Sequence, residues 1–488
     1  MRKNNILDLK KCLFLILIGT VGFTGCKKFL DVNQNPNNPD KAAATLLLPT
    51  VEAAVGQVVG NAFQITGSFY SQYWTQNTTS SQYKAVDRYA LTNTFFDGAW
   101  SNIYRRALEN AQLIINDKTA GIQYTQGIAY LLKAYTVQIT TDAFGDIPLN
   151  EALQGNTFGS PKYQAQQVVY DSIFVYIDKG VALLNTQNAT SPGSQDMIFQ
   201  GDINQWKAFA NTLKLKAYLR ISNKDVAKAT AGITALFKTN PVFLSKDASI
   251  KYSSTGGNEN PLYNEMVALG KTQNLAASGT SVLAFKRNKD PRLFKFYDPI
   301  SGQDTIAYIP QGSYLTNQNK KLSLPTPLVG GNPINTASAT APVKLISSSE
   351  SYFLQAEAVA RGFTSGDIPT LFKNGIIASF TATGLPADSI TKYIANAPDA
   401  KITGLTPDTL VKRIITQKYY AMNGTQGFEA WTEYRRTGYP TFFVISKASL
   451  LGAGLRPQRF LYPNSESVSN LNFPGTVPIT IPVWWATK

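Results

Sequence analysis

The sequence predicts a mainly α protein built from paired helices, with long loop-rich insertions and little β structure. Three observations carry that expectation. Apolar residues recur at i, i+3, i+4 and i+7 in several separate stretches, short turns divide those stretches, and residues 240–345, rich in Gly, Pro, Ser, Thr and Asn, largely lack the spacing. The chain has 488 residues, and 463 remain if an export signal at 1–25 is removed, more than one hydrophobic core usually serves.

Taken in order, the chain opens on a basic head, Arg2, Lys3, Lys10 and Lys11, followed by an apolar run from Leu13 and the small residues Thr24–Gly25 before Cys26. The run has the length of a signal peptide rather than of a membrane span. It reads as a bacterial lipoprotein signal cut before Cys26, whose sulfur and new amino group would carry acyl chains. An ordinary secretory signal with an incidental cysteine is the plainer alternative. At about 0.8 kcal/mol per buried methylene, one chain binds reversibly and two or more anchor stably. Residues 26–45, with the Asn- and Pro-rich stretch Asp31–Asp40, then read as a flexible tether, and 46–488 as a single body.

Within the body, Leu46 to about Gln76 reads as a helix running into an aromatic loop. Residues 97–118 put Trp100, Ile103, Tyr104, Ala107, Ala111 and Ile114 on one helical face, and 123–140 do the same with Ile128, Leu131, Leu132, Tyr135 and Ile139. A second pair spans 165–186 and 202–222, the latter striped by Trp206, Phe209, Ala210, Leu213 and Ala217. Pairs recurring over about 97–223 suggest TPR-like stacking into a superhelical scaffold, although a strict 34-residue period is absent. In the loop-rich region of about 240–345, Tyr252, Tyr263, Phe294, Phe296 and Tyr297 argue against disorder, and ligand contacts are expected there. Helices resume over about 346–436, starting at the capping box Ser347–Glu350, with further helices at 370–381, 408–422 and on both sides of Gly424.

Composition narrows the chemistry. The chain has no histidine, and its two cysteines are Cys12, inside the signal, and Cys26. Histidine-based triads, disulfides and His/Cys zinc sites are thereby excluded, and no Gly-rich phosphate loop follows a strand. No cofactor and no metal is indicated, and a binding protein is favoured over an enzyme. The formal charge is +15, of which the signal carries a net +3, leaving +12 without any long basic run. This reads as a basic surface beside an anionic membrane or ligand, and nucleic acid is not an expected partner.

Several stretches also resemble, in order, those of the SusD/RagB family of nutrient-binding outer-membrane lipoproteins, in its SusD-like branch. They are Cys26 with Phe29–Leu30–Asp31, Asp142–Ala143–Phe144–Gly145–Asp146–Ile147–Pro148, Asp290–Pro291–Arg292–Leu293, the helix around Tyr352–Ala358, Arg456–Pro463 and the terminal Trp484–Trp485. The resemblance implies a TPR-like helical scaffold under a loop-rich ligand face. It also implies a cell-surface protein that captures an oligosaccharide or peptide and delivers it to a SusC-like TonB-dependent transporter, without catalysis. A lipidated carboxylate glycosidase and a structural lid with no ligand of its own are the competing readings.

The family's motifs are structural, so candidate ligand residues come from chemistry alone. Tyr73 and Trp74 with Gln76, Asn77 and Tyr83 offer an aromatic platform flanked by amides; the plain alternative is that Trp74 belongs to the core. Tyr252, Asn258, Asn260 and Tyr263 surround Gly256–Gly257, where backbone can approach a ligand closely, or where a simple surface turn lies. Trp100, Trp206 and Trp431 fall in apolar stripes and are expected in the core. Arg435–Arg436 are explained by charge pairing with Glu429 and Glu433 on one helix.

Overall fold

The computed structural model describes residues 43–486, so Cys26, the expected export signal and most of the expected tether lie outside the described residues. Helix α1 (Ala44–Gly60) begins inside the stretch expected to be tether and is followed by α2 (Ala62–Tyr70) and strand β1 (Trp74–Gln76). The scaffold is α3, a helical run over residues 97–116 that is π-helical at Asn102–Leu108, then α4 (Gln123–Phe144), α5 (Gln166–Leu184), α6 (Ile203–Ile221) and α7 (Val226–Phe237). Each helix packs against the next, the antiparallel stacking expected of a TPR-like array.

Side chains explain where these helices start. Asp202 caps α6 by accepting from the N–H groups of Asn204 and Gln205, and Asp225 caps α7 through Lys228. The α4–α5 crossing is close because both helices present glycine there. A Cβ on Gly127 would lie 2.9 Å from the Gly180 carbonyl oxygen, and one on Gly180 would lie 3.0 Å from that of Gly127.

After α7 the chain is less regular, yet not without elements. Strand β4 (Ala248–Ile250), α8 (Pro261–Ala268), β5 (Leu275–Ala277), α9 (Gly279–Arg287) and β6 (Val343–Ile346) punctuate the loops; β2 (Ile147–Pro148) and β3 (Tyr163–Gln164) lie earlier. The strands form three antiparallel pairs, β1–β5, β2–β3 and β4–β6. The second helical block is α10 (Ser348–Ala360), α11 (Ile368–Ala382), α12 (Ala387–Asn396), α13 (Pro407–Met422) and α14 (Gly427–Thr437). Ser347 caps α10 through the Glu350 N–H, as its sequence predicts. Helix α10 also packs against α6 and so joins the two blocks, while α2 lies against α14.

The main core runs through α1–α6 and the C-terminal segment, and it encloses Trp100, Trp206, Trp431 and Trp485. Phe460 stacks on Phe96 at 4.3 Å and on Trp431 at 5.3 Å, and its N–H donates to the Ala143 carbonyl at 2.7 Å. A smaller core fills the space between α10, α11, α12 and α13, around Phe353, Phe372 and Phe380.

Candidate ligand-binding groove

Tyr73 and Trp74 do not form an exposed platform, because β1 is an interior strand. Pairing of Trp74 with Ala277 and Gln76 with Leu275 draws the segment inward, and Tyr73, Trp74, Gln76 and Tyr83 are buried, with Asn77 nearly so. Tyr73 stacks on Tyr419 at 4.6 Å and donates to the Tyr419 carbonyl. The Gln76 amide accepts from the Tyr83 N–H at 2.7 Å, and Asn77 donates to the Gln273 carbonyl at 3.0 Å. These polar groups, which would otherwise meet sugar hydroxyls, are thus engaged inside the protein.

The second set is divided. Asn260 is the buried N-cap of α8, accepting from Leu262 and Tyr263 N–H groups and donating to the Ala341 carbonyl at 2.7 Å. Tyr252 packs against α1 at Gly56, and Tyr263 is half-buried on α8. Of the four, Asn258 alone is exposed, at the base of a turn that its carbonyl closes by accepting from the Ser253 N–H. The segment is a surface turn, and the four residues do not converge on one cavity.

The buried strand nonetheless builds a floor. β5 leads directly into α9, and the Tyr73 carbonyl accepts from the Ser278 N–H and from the Tyr297 hydroxyl at 2.7 Å. Next to it, Gln72 adopts a left-handed backbone (φ 60°) and accepts from the Thr280 hydroxyl at 2.8 Å and the Val444 N–H at 3.1 Å. Asp87, fully buried, accepts from Thr75, the Gln76 N–H, Gln311 and Ser446, so one carboxylate fastens β1 to two loops.

On this floor lies a groove in two lobes. One, of about 380 Å³, is lined by the outer face of α9 with Leu283 and Arg287, by Tyr308 and by Phe442 and Val444. The other, of about 260 Å³, shares Arg287 and Phe442 and continues past Asp399 to Thr409, Lys412 and Arg413 on α13. Arg287 lies 5.5 Å from the Phe442 ring centre and pairs with Asp399 at 2.7 Å. Burial would raise Asp399, but hydrogen bonds from Arg287, Asn288 and Tyr420 outweigh it and hold the carboxyl below its ordinary range. The result is two half-buried aromatic rings flanking a pre-oriented charged cluster, with open polar groups along one side. Sugars offer apolar C–H faces and rings of hydroxyls, and this lining meets both.

None of Arg287, Tyr308, Asp399 and Phe442 stands out in the sequence. The available signal was the Phe442–Phe443 pair in an irregular Pro-bounded segment: Phe443 enters the core and its neighbour faces the groove.

The charged residues on α14 do not form a ligand site. Lys216, Arg220, Lys418 and Arg436 meet Asp142, Glu350, Glu357, Glu429 and Glu433 in a buried network of four cations and five carboxylates. Arg435, expected to pair with the glutamates of its own helix, instead donates to the Asp142 and Gln458 backbone carbonyls and lies over the Trp431 ring. Arg220 alone pairs with Asp142 at 3.1 Å and with Glu429 and Glu433 at 2.6 Å. Asp142 is further closed off by donors from Tyr170 and Trp485, which leaves it no open face for hydrolysis.

A family model described as starch-binding and associating with the outer membrane, SusD-like, matches residues 36–463. The chain belongs to the SusD-like family. Solved structures with the same fold include a chitin-binding SusD homolog from Flavobacterium johnsoniae (22% identity, TM-score 0.74, covering 89% of this chain and 98% of that one). A SusD/RagB family protein from Bacteroides thetaiotaomicron shares 22% identity at TM-score 0.75, over 92% of this chain and 100% of that one, and a SusD homolog from Bacteroides uniformis shares 22% at 0.74, over 91% and 99%. No curated protein matches the sequence.

The SusD-like motifs read in the sequence are fasteners. Asp290 pairs with Arg292 at 2.6 Å in full burial, and Arg292 lies over the Phe380 ring at 4.5 Å and donates to Ser379, tying the loop region to α11. Asp142 belongs to the ion network, and Gly145, at φ 89°, leaves room for the Arg459 guanidinium, which a Cβ there would approach to 2.9 Å.

Proposed function

We propose that this SusD-like protein captures an oligosaccharide in the groove between α9, the Tyr308 loop and the Phe442 segment, and delivers it to a SusC-like TonB-dependent transporter in the outer membrane. The observation that carries the reading is the pairing of Tyr308 and Phe442 with the Arg287–Asp399 cluster in one open groove. The family's description as starch-binding and the chitin-binding neighbour support a glycan over a peptide. Lipid attachment at Cys26 would keep the body beside the transporter, with the segment from residue 26 to the start of α1 as its tether.

The test is a panel of starch- and chitin-derived oligosaccharides and peptides, titrated calorimetrically into the protein and into Tyr308→Ala and Phe442→Ala. Each variant is expected to lose at least about tenfold in affinity for the glycan that binds, the effect of removing one stacking face. Unchanged affinity in both removes the groove from consideration. Peptide-only binding changes the ligand class, and steady release of reducing ends revives the glycosidase reading.

A further inference from the structure

A second, larger groove opens elsewhere, on the helical scaffold. It measures about 780 Å³ and lies between the C-terminal half of α3, α4, α5 and the loop at 149–155. Its base holds Lys133, a lysine only 5% exposed that has no carboxylate within ion-pair distance among the described residues. The Lys133 ammonium donates to the Gln112 side chain at 2.7 Å and sits 4.3 Å from the Tyr176 ring centre. Burial, aided by Lys179, pulls it down to about 8. A buried ammonium satisfied by one neutral amide and one ring keeps a donor for another acceptor, and it lacks the counter-charge that buried cations ordinarily have. The other buried lysines among the described residues, Lys216 and Lys418, sit among carboxylates.

The walls say what kind of acceptor fits. Asn116 accepts from Gln112 at 2.9 Å through its oxygen, which turns its amide donors away from Gln112, and Gln154 and Asn150 present side-chain amides at the exposed rim. Leu113, 53% exposed, and Leu153 add an apolar wall. Amides for hydroxyls, a leucine wall for C–H faces and one uncompensated cation make a combination suited to a sugar that carries a carboxylate. Glu109 at the edge disfavours a polyanion lying flat and favours a single carboxylate directed inward to Lys133.

We infer that the α3–α4–α5 groove is a second carbohydrate site, selective for a uronate residue whose carboxylate pairs with Lys133. The inference stands apart from the Tyr308–Phe442 groove, since the two share no residue and the variants of one leave the other intact.

The test compares a galacturonic acid hexamer with the galactose hexamer of the same linkage, by calorimetry on wild type, Lys133→Met, Lys133→Arg and Phe442→Ala. Wild type is expected to prefer the uronate by at least about tenfold, Lys133→Met to abolish that preference, and Lys133→Arg and Phe442→Ala to retain most of it. Hydrogen exchange on wild type, which does not depend on any variant folding, is expected to show uronate-induced protection at 109–116 and 149–155. Equal affinity for the two hexamers, an unaffected preference in Lys133→Met, or protection confined to 279–287 and 439–444 would each overturn the inference.

Discussion

At the scale of single residues, the groove depends on side chains that a ligand never touches. Burial raises the Asp87 carboxyl despite hydrogen bonds from Thr75, the Gln76 N–H, Gln311 and Ser446. Truncating it strands those donors in a dry interior, each at a cost of about 1–3 kcal/mol where water cannot reach. Asp87→Ala is therefore expected to lower stability by about 3 kcal/mol or more, seen as a lower urea midpoint with unchanged slope. It should also weaken glycan binding, because Gln311 lines the groove and Ser446 follows Val444 closely. A midpoint within experimental error of wild type would mean that β1 and the two loops hold together without this carboxylate. The stretch that matters was legible in the sequence, but its role was placed on the wrong side of the molecule. Tyr73–Trp74 read as ligand contacts because no helical period claims them, and a three-residue strand buried on both faces leaves no period to read.

At the scale of elements, periodicity located most of the long helices. The helices at 123–144, 166–184 and 203–221 lie where the apolar stripes put them, the last two burying one broad face and the first buried almost all round, and the helix at 407–422 lies at its expected range. Helix α12 is not among the helices expected from the sequence, although Ile390, Tyr393 and Ile394 share one face and pack on the smaller core; its short length and its position between two turns kept that stripe from being read as a helix. The short α8 and α9 were hidden inside a polar region, where capping by Asn260 and Ser278 does more than apolar spacing to define them. The close crossing of α4 and α5 was also illegible, because a glycine in a helix reads as a weakness until its neighbour is known. Two glycines separate propensity from packing. At Gly98 an added methyl would have nothing within 4 Å, so Gly98→Ala is expected to stabilise by about 0.5–1 kcal/mol. At Gly180 a Cβ would meet Leu131 at 2.9 Å and the Gly127 carbonyl oxygen at 3.0 Å, so Gly180→Val is expected to destabilise by about 1–3 kcal/mol. Thermal or urea midpoints that rise for both would show that helix propensity, not the crossing, controls this pair.

At the scale of the whole molecule, the buried charges should give stability a definite dependence on pH. The ion network spans α4, α6, α10, α13 and α14, and within it burial would raise Glu357, Glu429 and Glu433, but Arg436, Arg220 and their companion cations overcome this and hold all three below the ordinary value of 4.5. Acids lowered by folding contribute stability that is present above 4.5 and lost as pH falls through their folded values. The acid limb should therefore be steep, beginning below about pH 4.5. Glu52 on α1 acts in the opposite sense. Burial and the neighbouring Asp196 raise it well above 4.5, while Asp196 itself is committed to the N–H groups of Ile198, Phe199 and Gly201 and to the Trp206 indole. An acid raised by folding contributes stability that is full below its unfolded value and is lost as pH rises through the folded one. Glutamine at this position keeps an acceptor for the Met197 N–H, which Glu52 now receives at 2.7 Å, and offers Asp196 an amide donor at every pH. Glu52→Gln is accordingly expected to match wild type near pH 5, to exceed it increasingly toward pH 9, and to leave the acid limb unchanged. Urea midpoints measured from pH 3 to 9 check all three parts, and a variant weaker than wild type by the same amount throughout would show that Glu52 holds no proton in the folded protein.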